Sequence, residues 1–515
     1  MTLTGIRAKE IWDGCGLRGD TVVFDSLGIV WVGRRENAPH FEDITWVDYP
    51  RALVTPGFVD AHVHLTSTGI ALASIDLSEA ASAADLIDLL AAGSRNLAAD
   101  ETVFGHGWEE SRWVDPSLPT RKQIDEAAGN RSVYLSRIDV HAALVSSALM
   151  RQADFSLPAE ELGAVVRRES HGVLRKAAFA SISAAARANY QRAALLAAAK
   201  VGVTTVHENG GPVVSSEADL EQAIALGQRL DLPTVVGYWG ALGGSETALR
   251  LGAVGAAGDL FIDGSLGSHT AHVLEEYADS PSHGAAYVSS SDMAEHINQA
   301  LDAGLQAGFH VIGDAAMDSV CAALEMCAEK RGATVPPDSV RLEHAEMVSD
   351  VHAAILRKHG VALSMQPMFD ALWGGPEGMY AQRLGSVRAA GMNRIHEHID
   401  DGLLVGFGSD SPVTPIGPWE TLAAAVHHHQ HDQRVLPVVA LNAHTRAAHA
   451  LARQKGGLIE SGQQADLAVW DLQESPGESA ESLVEAGIVS TLQSCPPRLM
   501  VAYKQGTVMW MQEHV

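Results

Sequence analysis

Eight short apolar runs, separated by helix-forming stretches, set the architecture of this chain. The first passes through Leu53-Val54 and Phe58-Val59 to His62 and His64. The others are Gly202–His207, Pro233–Trp239, Leu260–Gly264, Gly308–Ile312, Val340–His344, Val361–Gln366 and Leu403–Asp410. Apolar β-type runs alternating with helices are the signature of parallel βα units, and eight is the strand number of a TIM-like (β/α)8 barrel. A doubly wound sheet is the competing α/β arrangement, but it calls for a nucleotide-type Gly loop near its first strand. Most of the runs carry His, Asp or Gln at or just beyond their ends. Barrel sites are built at the C-terminal strand ends, so these groups are expected to converge at one rim.

His62 and His64 close the first run behind the Pro56-Gly57 turn, and Leu65-Thr66-Ser67-Thr68-Gly69 then reads as the start of a loop. Residues two apart on a strand share a face, so both imidazoles point the same way and form half of a zinc-type site. The spacing alone is weak. With 24 His in 515 residues, chance supplies about one such pair, and His396/His398, His427/His429 and His429/His431 also fit. Repetition of strand-end ligand types around the barrel is what makes the metal reading strong.

Residues 1–55 and 456–515 read as short strands at the two ends of the chain. Neither end has enough of them for a stable sheet, so one composite β-sandwich domain built from both termini is expected. The barrel would occupy 56–75 and 191–455. Residues 76–190, with Ala-rich helical stretches at Ala83–Leu97 and Ala177–Ala199 and a strand around Val133, are too long for a simple connection and read as an inserted α/β subdomain capping the barrel.

The formal net charge of −27 argues against nucleic-acid and anionic-membrane partners. Four cysteines without C-x-x-C spacing, no apolar run of membrane length and no evident signal segment lead to an expected cytoplasmic location. No G-x-S-x-G elbow is present, which argues against a serine hydrolase of the α/β type. Asp263-Gly264-Ser265-Leu266-Gly267-Ser268 lacks the ending of a phosphate loop. Trp108 and Trp113 read either as packing or as pocket wall, and His207 either as a packed histidine or as a substrate contact. The run His427-His428-His429-Gln430-His431 reads as a solvated helix near the mouth.

Taken together, Pro56–His64, Gly105-His106-Gly107-Trp108, Gly202–Val206, Asp263–Ser268, His310-Val311-Ile312-Gly313-Asp314, Glu343-His344-Ala345, Gly408-Ser409-Asp410-Ser411-Pro412 and Gly462–Leu467 resemble the amidohydrolase superfamily. They are most similar to its YtcJ-like branch, which includes N-substituted formamide deformylases. The resemblance implies one or two divalent metals, usually zinc, with His62 and His64 as ligands of one. It implies His310 and His344 as ligands of a second or as water and substrate contacts, and Asp410 as ligand and general base. His141 matches a histidine of the branch, and Trp108, His141 and His207 are candidate substrate contacts. Where the branch commonly has a bridging lysine opening strand four, this chain has Asp259, whose shorter stem favours a single ion held by His62, His64, Asp410 and His310. His269 stands where relatives often have arginine.

The expected activity is metal-dependent hydrolysis of a carbon–nitrogen bond other than a peptide bond, in a small amide or substituted formamide. Asp410 would move the proton, and the metal and His344 would stabilise the developing oxyanion. Deamination of a cyclic amidine, or a lapsed barrel acting as a binding protein, are the alternatives. The expected partner is a small-molecule substrate, and a homodimer is compatible with the sequence.

Overall fold

The computed structural model describes residues 2–95, 97–98, 101–156, 163–472, 479–493 and 495–512. At its centre is an eight-stranded sheet of β1 (Phe58–Val63), β2 (Val203–Gly210), β3 (Thr234–Trp239), β4 (Gly255–Ala256), β5 (Gln306–Val311), β6 (Val340–His344), β7 (Ala362–Met365) and β8 (Val405–Phe407). Neighbours in sequence are neighbours in the sheet, every pairing is parallel, and a bridge between Val63 and Ser411 brings β1 and β8 together. This is a nearly closed (β/α)8 barrel. Its strands are buried on both faces, which explains why they read as continuous apolar runs instead of alternating ones.

The fourth strand lies upstream of the expected Leu260–Gly264. Gly258 takes φ +88°, and an added Cβ there would stand 2.8 Å from Asn209 Oδ1, so the chain turns sharply after two paired residues. The apolar run Leu260–Ile262 then drapes over the strand end, touching β5 through a Phe261–His310 bridge. Asp259 therefore follows β4 at the C-terminal rim instead of opening the strand. Two further expectations fail locally. Leu65–Ala73 is a helix, not a loop. The histidine run is not helical beyond Val426: His428 is buried beside Asp370, with Nε2 3.5 Å from Oδ1, and the other Asp370 oxygen accepts from His429 Nδ1 at 3.1 Å.

Strands from both chain ends share a second sheet, in the order Thr507–Met511, Arg498–Lys504, Leu467–Asp471, Ile44–Pro56, Leu3–Trp12, Leu17–Asp25, Gly28–Gly33. Trp470 joins this sheet to the barrel. Its indole N–H donates to Thr55 Oγ1 at 3.0 Å, and its ring lies 5.5 Å from both Phe58 and Trp419. A third sheet of five strands, from Ile75–Asp76 to Val165–Arg167, has its own apolar core. The Ala-rich stretch after it divides into helices Arg168–Ala180 and Ala184–Lys200. The break is at Ser181-Ile182-Ser183, where the Ser183 side chain caps the second helix. Among the described residues no helix is long and apolar enough to cross a membrane.

Candidate metal centre

Six side chains from five strand ends meet at the C-terminal rim. His62 and His64 come from the end of β1, Asp259 from just after β4, His310 from β5, His344 from the end of β6 and Asp410 from just after β8. All are buried. Asp259 lies 3.4 Å from His62 Nε2 and 3.1 Å from His64 Nε2, while Asp410 Oδ1 lies 3.3 and 3.1 Å from the same two atoms. His310 Nδ1 is 3.7 Å from Asp259. Three overlapping triads have their ligand atoms within 4.8 Å of one another: His62/His64/Asp259, His62/His344/Asp410 and Asp259/His310/His344.

The outward nitrogens of the four histidines decide what their inward nitrogens can do. His62 Nδ1 donates to Glu343 Oε2 at 2.8 Å, His64 Nδ1 to the Asn209 carbonyl at 3.1 Å, His310 Nε2 to the Gly264 carbonyl at 3.3 Å, and His344 Nδ1 to Gln366 Oε1 at 2.9 Å. Each acceptor takes the single N–H of a neutral imidazole, so each ring presents a lone pair to the cluster. With all four rings neutral, four lone pairs and two carboxylates converge without a donor between them. Consistently, His310 Nδ1, Asp259 Oδ1 and Asp410 Oδ1 are buried without a hydrogen-bond partner. This donor set of N and O atoms fits a divalent cation.

Protons are the only other species that could relieve the repulsion, and the electrostatics show where they would go. Burial disfavours charge on His62 and His64. The carboxylates outweigh it, with Asp410 and Asp259 holding His62 well above its ordinary value, and Asp259 and Asp410 pushing His64 up to about 9. His344 goes the other way: burial, reinforced by His310 and His62, keeps it well below.

Glu343 and Arg341 support the cluster from beneath. On β6 they are two residues apart and share a face. Arg341 Nε stands 2.6 Å from Glu343 Oε1, its Nη2 donates to Oε2 at 3.0 Å, and it also donates to the Ala61 carbonyl. Asp60 locks β1 to β8 by accepting from the backbone N–H groups of Ser409 at 2.8 Å and His62 at 3.2 Å. Two opposite charges alternating along an otherwise apolar run were the signal for Arg341 and Glu343 in the sequence.

The expected substrate contacts divide. His141 lines the cavity above the cluster, its ring centroid 5.4 Å from that of His310. Burial and the neighbouring His310 lower its pKa to about 4, so it is neutral. Trp108 is fully buried in the core of the five-stranded sheet, its N–H donating to the Leu135 carbonyl at 2.9 Å, and it does not reach the cavity. His207 lies below the rim, with Nδ1 3.0 Å from Arg341 Nη1, and is likewise no part of the cavity wall. The reason is the same for both: an aromatic or histidine beside a Gly-rich or strand-end motif carries no sequence mark of which side of its strand is wet. Trp113 also packs, donating to the Ala80 carbonyl at 2.6 Å. His269 holds Asp279 at 2.9 Å at the periphery.

The family model described as Amidohydrolase family matches residues 51–492. Protein LONG AFTER FAR-RED 3 of Arabidopsis thaliana is 30% identical over 410 residues, covering 73% of this chain and 68% of that protein. YtcJ of Bacillus subtilis (strain 168), whose name carries the word amidohydrolase, is 29% identical over 457 residues, covering 81% of this chain and 84% of its own. The N-substituted formamide deformylase of Arthrobacter pascens is 26% identical over 470 residues, covering 83% and 85%. Among solved structures, an uncharacterized metal-dependent hydrolase from Pyrococcus furiosus superposes with a TM-score of 0.71 at 24% identity, covering 91% of this chain and 99% of the other.

Proposed function

This chain belongs to the amidohydrolase family, in its YtcJ-like branch, and we propose that it is a metal-dependent hydrolase of carbon–nitrogen bonds other than peptide bonds, acting on small amides of the substituted-formamide type. The observation that carries this reading is the set of four inward lone pairs and two carboxylates with no donor among them. His62, His64 and Asp410 would hold the cation, with Asp259 in reach of both histidines and His310 and His344 completing the ring. A divalent ion bound there supplies Lewis acidity and lowers the pKa of water from about 15.7 to about 7.

The protein's own groups do the rest. The Asp410 carboxylate takes the proton of the attacking water and delivers it to the departing nitrogen, a role worth roughly 10²–10⁴-fold. His344 is a lone-pair donor here, because Gln366 takes its N–H. It therefore serves as a ligand, and the oxyanion role expected for it passes to His141, which faces the cavity. Asp139, accepting from the His141 backbone N–H at 3.3 Å and held by Ser265 and Ser268 at 2.7 Å each, fixes the loop that presents His141. The name of the A. pascens relative and the half-open cavity of about 710 Å3 support a small amide substrate.

The test is a hydrolysis screen over substituted formamides, cyclic amides and aminoheterocycles with zinc-quantified protein. Formate and amine from a formamide are expected. Ammonia from a heterocycle would instead make the chain a deaminase, and no turnover of any class would leave a lapsed binding barrel.

A further inference from the structure

The metal cluster borders two spaces of unequal size. One is the half-open cavity of about 710 Å3, the other a recess of about 30 Å3. His141, His310, His344 and Asp410 belong to the walls of both. A water molecule needs roughly 10–15 Å3 of such space, so the recess takes about two heavy atoms. An amide whose carbonyl carbon sits at the cluster therefore has one substituent that can be large and one that must be small.

The wall of the recess is built of packed rings. Phe369 lies nearly parallel to the His344 ring, at 11° and 5.9 Å between centroids, Trp373 stands 5.0 Å from Phe369, and Tyr380 stands 6.3 Å from Trp373. All three are buried. Glu346 joins this wall two residues after His344 and is only 3% exposed. The chain reaches it through His344 and Ala345 at φ +70° and +49°, left-handed values that residues with a side chain rarely adopt. The Glu346 carbonyl then accepts from the Asn393 N–H at 2.9 Å, which fixes its backbone.

Two carboxyl groups outside the cluster line the recess, and they differ in spare acceptor capacity. Asp139 Oδ2 takes Arg137 Nη1 at 2.9 Å and the hydroxyls of Ser265 and Ser268 at 2.7 Å each. The Glu346 carboxyl has the Tyr380 side chain as its hydrogen-bond partner, and its Oε2 is buried with none. A tyrosine hydroxyl donates one hydrogen, whereas a carboxylate has about four lone-pair sites. Glu346 can thus accept from a further donor, and the space beside it admits only a small one.

Resting on the reading of a metal-dependent hydrolase of carbon–nitrogen bonds, we propose that the recess is an acyl-side subsite in which Glu346 selects a carbamoyl NH2. The substrates are then monosubstituted ureas, which are formamides with the formyl hydrogen replaced by an amino group. The N-substituent occupies the large cavity, the carbonyl lies at the cluster and the NH2 donates to Glu346. Water oxygen adds to the carbonyl carbon, the bond to the substituted nitrogen breaks, and Asp410 delivers the proton to that nitrogen. The carbamic acid left behind separates into carbon dioxide and ammonia. A methyl group of the same size as NH2 also fits, but it fills the space beside Glu346 without offering a donor.

The experiment compares phenethylurea, N-phenethylacetamide, which has CH3 in place of NH2, and N-phenethylformamide on zinc-loaded protein. Amine release gives kcat/KM, and calorimetry gives Kd. The wild type is expected to bind the urea at least about tenfold more tightly than the acetamide, and E346M to reduce that ratio at least about fivefold. E346Q, which keeps one acceptor oxygen, should retain part of it, and circular dichroism checks the fold of both variants. Each variant is read as a ratio between two compounds, so a general loss of activity does not imitate the effect. A ratio near one in the wild type, or the same ratio in E346M as in the wild type, overturns the proposal. If the formamide is still turned over, that outcome leaves the hydrolase reading intact. A Glu346-dependent preference in binding with no turnover of any of the compounds would uphold the subsite and count against the hydrolase reading.

Discussion

Replacing Glu343 with Gln removes one charge from the floor of the site and leaves its shape. Glu343 and Arg341 are both fully buried. Glu343 Oε2 accepts from both His62 Nδ1 at 2.8 Å and Arg341 Nη2 at 3.0 Å, while Oε1 stands 2.6 Å from Arg341 Nε. Burial disfavours its charge, yet Arg341 and His62 hold its pKa below the ordinary value, so the anion is the species that matters. An amide has a single oxygen. With that oxygen in the place of Oε2, His62 and Arg341 Nη2 keep a neutral acceptor and the NH2 confronts Arg341 Nε; with the amide turned over, His62 loses its acceptor. If His62 loses it, a charge-assisted bond worth about 1.5–3 kcal/mol disappears from the group that fixes the ring and its tautomer. Support of this kind is typically worth 10–100-fold in metal affinity, so a loss of about 10–100-fold is expected for Glu343→Gln. Arg341 becomes an unpaired buried cation, and breaking such a pair costs about 3–5 kcal/mol of stability. Chelator competition at pH 8 measures the first quantity and urea unfolding the second. Affinity within threefold of wild type, together with a stability change under about 0.5 kcal/mol, would refute the claim that Glu343 orients His62.

Three other outcomes follow from the same coordinates. Because Asp410 and Asp259 hold His62 well above its ordinary value and raise His64 to about 9, the metal-free site holds protons at neutral pH that a cation must displace. Zinc affinity should therefore keep rising with pH from 6.5 to about 9, with proton release on binding; a plateau above pH 6.5 would contradict the assignment. Trp108→Phe should lower stability by about 1 kcal/mol through loss of its bond to Leu135 and leave KM unchanged, and a large rise in KM would return Trp108 to the cavity. Phe58→Ala, at the aromatic junction with Trp419 and Trp470, should cost about 3–5 kcal/mol in denaturant unfolding, and a loss below 1 kcal/mol would show that the two sheets are not coupled there.

The barrel was legible because burial on both faces makes its strands uniformly apolar, and Gly or polar residues bound them. β4 was not, because the Gly258 turn ends its pairing after two residues and leaves a more strand-like sequence just beyond it. The cluster was legible as a recurrence of ligand types at strand ends, and the resemblance supplied their roles. The direction of each imidazole was not, since it depends on acceptors such as the Asn209 and Gly264 carbonyls that come from other strands and loops. That is why, of the two roles expected for His344, its geometry offers a lone pair to the cluster and no N–H to an oxyanion. Helix Arg168–Ala180 lies mostly upstream of the Ala-rich stretch Ala177–Ala199, and nothing in its composition tells which residue turns toward the barrel.

Anomalous scattering from a zinc-loaded crystal tests the central claim most directly. The account predicts a peak about 2.0–2.2 Å from Nε2 of both His62 and His64 and from a carboxylate oxygen of Asp410. A saturated crystal with no peak at this rim, or with zinc held only elsewhere on the molecule, would contradict it.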